Sequence, residues 1–74
     1  MPSEHVLDVC NLEPPEPFER VMDALDRVGP GDRLRVRIDR RPAPLFRVLE
    51  RNGFAYREAP GDGFLLEITI WRKA

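Results

Sequence analysis

Val6-Leu7-Asp8-Val9, followed after two residues by Leu12-Glu13-Pro14-Pro15-Glu16-Pro17, is the stretch that decides the fold. A short apolar strand runs into a helix whose first turn is pinned by prolines. Proline fixes φ and has no N–H, so it suits the first helical turn, where that N–H has no helical partner. From about Pro15 to Val28, the apolar residues Phe18, Val21, Met22, Leu25 and Val28 fall on one stripe at helical spacing. Glu16 with Arg20, and Asp23 with Arg27, are i,i+4 pairs in the favoured acid-first order, each contributing about 0.2–0.5 kcal/mol. Asn11 is placed to accept from free backbone donors near the helix start. Gly29-Pro30-Gly31-Asp32 stops the helix.

Downstream, Arg33-Leu34-Arg35-Val36-Arg37-Ile38 is the strictest alternation in the chain. It predicts a strand with Leu34, Val36 and Ile38 toward the core and three arginines outward. Pro42 and Pro44 open a second helix with Leu45, Val48 and Leu49 inward and Phe46 at its margin. Asn52-Gly53 ends it, with Gly53 suited to the left-handed position after a helix. Phe54–Ala59 reads as a strand, Pro60-Gly61-Asp62-Gly63 as a turn, and Phe64–Arg72 as the last strand, with Leu66, Ile68 and Ile70 inward. The order is β-α-β-α-β-β, an α+β two-layer sandwich with a four-stranded mixed sheet and both helices on one face. The first three strands run parallel and the last returns antiparallel.

The chain has 74 residues, enough for one domain spanning 1–74. A core of this size supplies only about 3–5 kcal/mol of net stability. One cysteine excludes an internal disulfide framework and fits a reducing cytoplasm. No apolar run approaches the roughly 20 residues of a membrane span, and Met1-Pro2-Ser3-Glu4-His5 carries no secretory pattern, so a cytoplasmic location is expected. The net charge of −1 hides an asymmetry: residues 1–26 hold seven acids and one base, residues 27–57 nine arginines and three acids.

The Leu12–Pro17 segment resembles the Leu-x-Cys-Pro-x-Pro signature of TusA/SirA-like sulfur carriers, and the element order matches their fold from Val6 to Trp71. In such carriers a thiol at the helix start is acidified and passes on a persulfide sulfur. Pro14 stands at that place here and has no nucleophilic atom. The chain is more similar still to an uncharacterised bacterial family related to those carriers. The shared features are the Leu-x-Pro-Pro-Glu-Pro helix start and an Asp-x-x-Pro-x-Pro-Leu segment, here Asp39-Arg40-Arg41-Pro42-Ala43-Pro44-Leu45. The resemblance implies the fold, a partner surface, and a redox, sulfur or nitrogen-oxide setting, without the carrier's chemistry.

Open α/β sheets bind ligands at the carboxyl ends of parallel strands, where both proline-anchored helices begin. The candidate partner or ligand rim is therefore Glu13, Pro14, Pro15, Glu16, Asp39, Arg40 and Arg41. Asp39 reads either as the cap of the second helix or as part of that rim. Cys10 reads either as a small hydrophobe ending a strand or as a reactive thiol able to carry a persulfide. Arg33, Arg35 and Arg37 with Trp71 and Tyr56 read either as a solvated face paired to Glu67 or as an RNA-stacking surface. His5 and Cys10 alone do not make a metal site, Gly61-Asp62-Gly63 is a turn rather than a phosphate loop, and no catalytic triad can be assembled. The expected molecule is a non-catalytic binding domain needing no cofactor or metal. Its occupant is a protein or a small anionic ligand, with neither nucleic acid nor membrane favoured.

Overall fold

A computed structural model describes residues 3–13 and 15–73. Its elements are β1 (Glu4–Asp8), α1 (Glu16–Leu25), β2 (Arg33–Ile38), α2 (Ala43–Arg51), β3 (Phe54–Pro60) and β4 (Leu66–Arg72). The sheet order is β1-β2-β4-β3. β1 lies parallel to β2, with Glu4 opposite Arg33 and Asp8 opposite Arg37. β4 pairs antiparallel with both β2 and β3. β2 and β3 thus point the same way without touching, because the returning strand inserts between them.

Alternation decides the layers. Leu34, Val36 and Ile38 of β2 face Ile70, Ile68 and Leu66 of β4, and all six are buried. They meet Val21 and Leu25 of α1 and Leu45 and Leu49 of α2 in one core cluster, so both helices cover the same sheet face. Val9, Val28 and Phe54 complete the cluster, while Phe18, Met22 and Phe46 pack at its edge.

α1 ends at Leu25, three residues short of the stripe's end at Val28. Past it the chain tightens: the N–H groups of Arg27 and Val28 donate to the carbonyls of Ala24 and Leu25, three residues back. The Gly29 N–H then donates to Asp32 Oδ2 at 3.0 Å and the Asp32 N–H to the Gly29 carbonyl, closing a loop that competes with another helical turn. Val28 stays buried without being helical. Arg27, beyond the helix, makes no ion pair with Asp23, whereas Arg20 lies 3.8 Å from Glu16. β4 likewise starts at Leu66 rather than Phe64, because Gly61–Leu65 form a wider turn closed by Gly61 N–H to the Leu65 carbonyl.

Candidate functional site: a proline-walled cleft between two helix starts

β1 and β2 run parallel, so α1 and α2 both begin at one end of the sheet. The loop joining β3 to β4 lies at that end too, because Ile38 and Pro60 both pair with Leu66. Between the helix starts is a cleft of about 340 Å³, open along one side. Pro15, Pro17, Phe18 and Val21 of the α1 side face Ile38, Pro42, Pro44 and Leu45 across it, with Arg40 and Arg41 beside them. The surface lining it is almost wholly apolar.

The prolines that start the helices also remove their donors. In α1, Pro15 and Pro17 have no N–H, and the Glu16 N–H donates to the Glu13 carbonyl at 2.9 Å. In α2, Pro42 at φ −90°, ψ 65° forms a tight three-residue turn in which the Ala43 N–H reaches the Arg41 carbonyl. Pro44 has no N–H, and that of Leu45 donates to the Pro42 carbonyl. The usual anion-binding capacity of a helix start rests on free N–H groups. Here the prolines lack that group and the N–H groups of Glu16, Ala43 and Leu45 are already paired; among the described residues, the cationic side chains lining the cleft are the guanidiniums of Arg40 and Arg41.

Neither helix has a side-chain cap. Asp39 is therefore not the cap of α2. Its Oδ2 accepts the Asn11 N–H at 2.9 Å and ties the β1–α1 loop to the β2–α2 loop. Asn11 takes φ 67°, a left-handed conformation that Asn tolerates better than most residues. It orders the rim through its backbone donor, and among the described residues its side chain caps neither helix.

Of the rim residues expected from sequence, Pro15, Arg40 and Arg41 line the cleft. Glu13 and Glu16 are exposed beside it, Asp39 staples it, and Pro14 lies outside the described residues. Arg41 pairs with Glu58 of β3 at 3.2 Å, whereas Arg40 is exposed and makes no ion pair among the described residues. The walls Phe18, Val21, Ile38 and Leu45 could be read only as core, since a stripe does not reveal where two helices part. Leu65, 56% exposed, also stands bare at the same end of the sheet, which its place in an apolar stretch does not reveal.

Cys10 follows β1 and is half buried. Desolvation, with the carboxylates of Asp8 and Asp39 nearby, pushes its thiol up to about 11. At neutral pH it is a thiol and not a thiolate, opposite to the acidified sulfur a carrier uses. Asp8 holds the turn: its Oδ1 accepts the Cys10 N–H at 2.9 Å, which lowers the Asp8 pKa.

On the helix-free face, Arg35 donates from Nε and Nη2 to Glu67 Oε1 at 3.0 and 2.8 Å and reaches Glu4 at 3.1 Å. Arg37 Nε sits 3.7 Å from Glu67 Oε2, with its guanidinium 5.7 Å from the Phe64 ring. Arg33 lies over Trp71 at 5.3 Å. Both features of the solvated-face reading are present, the arginine–Glu67 pairs and the arginine–tryptophan stack. Tyr56 lies on the opposite face, in register with Ile70, and stacks on Phe46 at 4.7 Å, so it does not join Trp71.

A family model described as an uncharacterized conserved protein, DUF2249, matches residues 6–72. The chain belongs to this family. No curated protein and no solved structure matches it. The match runs from Val6 within β1 to Arg72 at the end of β4 and takes in the cleft. Among the described residues, no helix is long and apolar enough to cross a membrane.

Proposed function

We propose that this family member is a non-catalytic binding domain that seats an apolar group of a protein partner in the cleft between α1 and α2. The observation that carries this reading is the cleft itself: walls of proline, Phe18, Val21, Ile38 and Leu45, open to solvent at the end where both helices begin. A concave apolar surface with few, convergent polar groups is the usual form of a binding site. The lack of an acidified nucleophile supports a non-catalytic role, since Pro14 has no reactive atom and the Cys10 thiol is driven toward its protonated form. The resemblance to TusA-type carriers supports the same end of the sheet as the surface presented to partners. It also supports a bacterial redox, sulfur or nitrogen-oxide setting.

Titrating indole, a neutral apolar probe, into the isotope-labelled domain tests this reading through backbone amide shifts. The expected outcome is saturable movement at Phe18, Val21, Ile38, Arg40, Arg41 and Leu45. Absent or scattered shifts would overturn it. So would a sulfane-sulfur adduct on Cys10, found by mass spectrometry after incubation with a persulfide donor.

A further inference from the structure

We propose that the cleft selects a partner-protein segment in which a large apolar side chain is flanked by carboxylates. This deepens, and rests on, the reading of the cleft as the binding site. The selection follows from what the cleft offers and where. Its walls are almost wholly apolar: the prolines have no N–H, and the N–H groups of Glu16, Ala43 and Leu45 beside them are paired within the helix starts. Placing a charge inside would strip its water without replacement. The interior therefore takes an apolar group only.

Charge enters at the edge, where the cleft's own lining is cationic while Glu13 and Glu16 stand exposed beside it. Among the described residues, Arg40 and Arg41 are the only charged ones lining the cleft. Arg40 is unpaired among the described residues, and Arg41 shares its charge with Glu58. The same sign continues along α2, which holds Arg47 and Arg51 against Glu50. A carboxylate beside the apolar group would find a guanidinium at the cleft's lip, in the planar two-point geometry arginine favours.

The openness of the cleft decides between a protein and a free small molecule. Small-molecule sites enclose most of the ligand's surface. This one is open along one side, and the same end of the sheet also carries the exposed Leu65. A side chain projecting from a larger body fits such a surface, because the body covers what the cleft leaves uncovered.

Three capped tripeptides test the inference by amide shifts at low salt: tryptophan flanked by aspartates, by glycines and by lysines. All three should move Phe18, Val21, Ile38 and Leu45. The aspartate peptide should bind at least about fivefold more tightly than the lysine peptide, in the range expected for one or two partly exposed ion pairs. Arg40→Gln with Arg41→Gln should abolish that preference, so that the aspartate and lysine peptides bind alike, and the fold should persist because both side chains are exposed and outside the core. Equal binding of the aspartate and lysine peptides would overturn the charge selection and leave the cleft reading standing. No shift with any peptide, and none with indole, would remove both. Indole-3-acetate binding as tightly as the aspartate peptide would identify a small carboxylate as occupant and overturn the protein segment.

Discussion

Gly61 begins the turn from β3 to β4 with the Phe64 ring lying over it. A methyl group built there would overlap both the ring and the Phe64 carbonyl oxygen. The Phe64 ring in turn lies beneath the Arg37 guanidinium, so displacing it also disturbs the arginine face. Gly61→Ala should therefore destabilise the domain by about 1–3 kcal/mol, as overpacking against backbone does. Urea midpoints of wild type and variant check this, and an unchanged midpoint would mean the turn re-forms freely. The glycine was legible as a turn residue, but its crowding was not. It depends on a ring three residues away that sequence reading assigned to a strand.

At the scale of elements, Glu67 is the link between two neighbouring arginines of β2. Its side chain is 18% exposed, against 35% for Arg35 and 40% for Arg37. Hydrogen bonds to charged groups in such partly shielded places count for more than surface pairs. Glu67→Ala should cost about 1–2 kcal/mol, and a double-mutant cycle with Arg35→Ala should give a coupling near 1 kcal/mol. A coupling near zero would mean that solvent already screens the pair. This face was legible because strict alternation places Arg33, Arg35 and Arg37 together, and β4 supplies Glu67 and Trp71 in register. The end of α1 was less legible. Val28 satisfies the helical stripe, yet its burial is achieved in a tightened turn held by Asp32. The rim's place was legible from strand direction and prolines. Its apolar interior was not, because the gap between two helix starts is a property of packing. Asp39 has the same lesson: a residue type suited to capping was drawn to a nearer donor on Asn11.

At the scale of the whole molecule, stability should depend on pH at both ends. The carboxylates of Asp8 and Asp32 accept backbone N–H groups, from Cys10 and from Ser3 and Gly29, which lowers both below their ordinary 3.8. Their contribution is present above 3.8 and is lost as pH falls through the depressed values. Cys10 moves the other way. Raised from 9.0 to about 11, it favours the folded state below 9 and loses that contribution as pH climbs through 11. Tyr56, also raised by burial and by Glu50 and Glu58, adds to the alkaline loss. Urea midpoints across pH should show a plateau bounded by both losses. Cys10→Ala should weaken only the alkaline one, and an alkaline profile identical to wild type would contradict the environment described for the thiol. The sheet order carries a consequence for biogenesis. β4 is the last strand of the domain but fills an interior seat, flanked by β2 and β3. A ribosome that has released everything up to Gly63 has exposed two unjoined pieces of sheet and a half-covered apolar layer. Only emergence of the final strand stitches them, so the nascent domain must wait for its last residues before it can gain protection from proteases and chaperones.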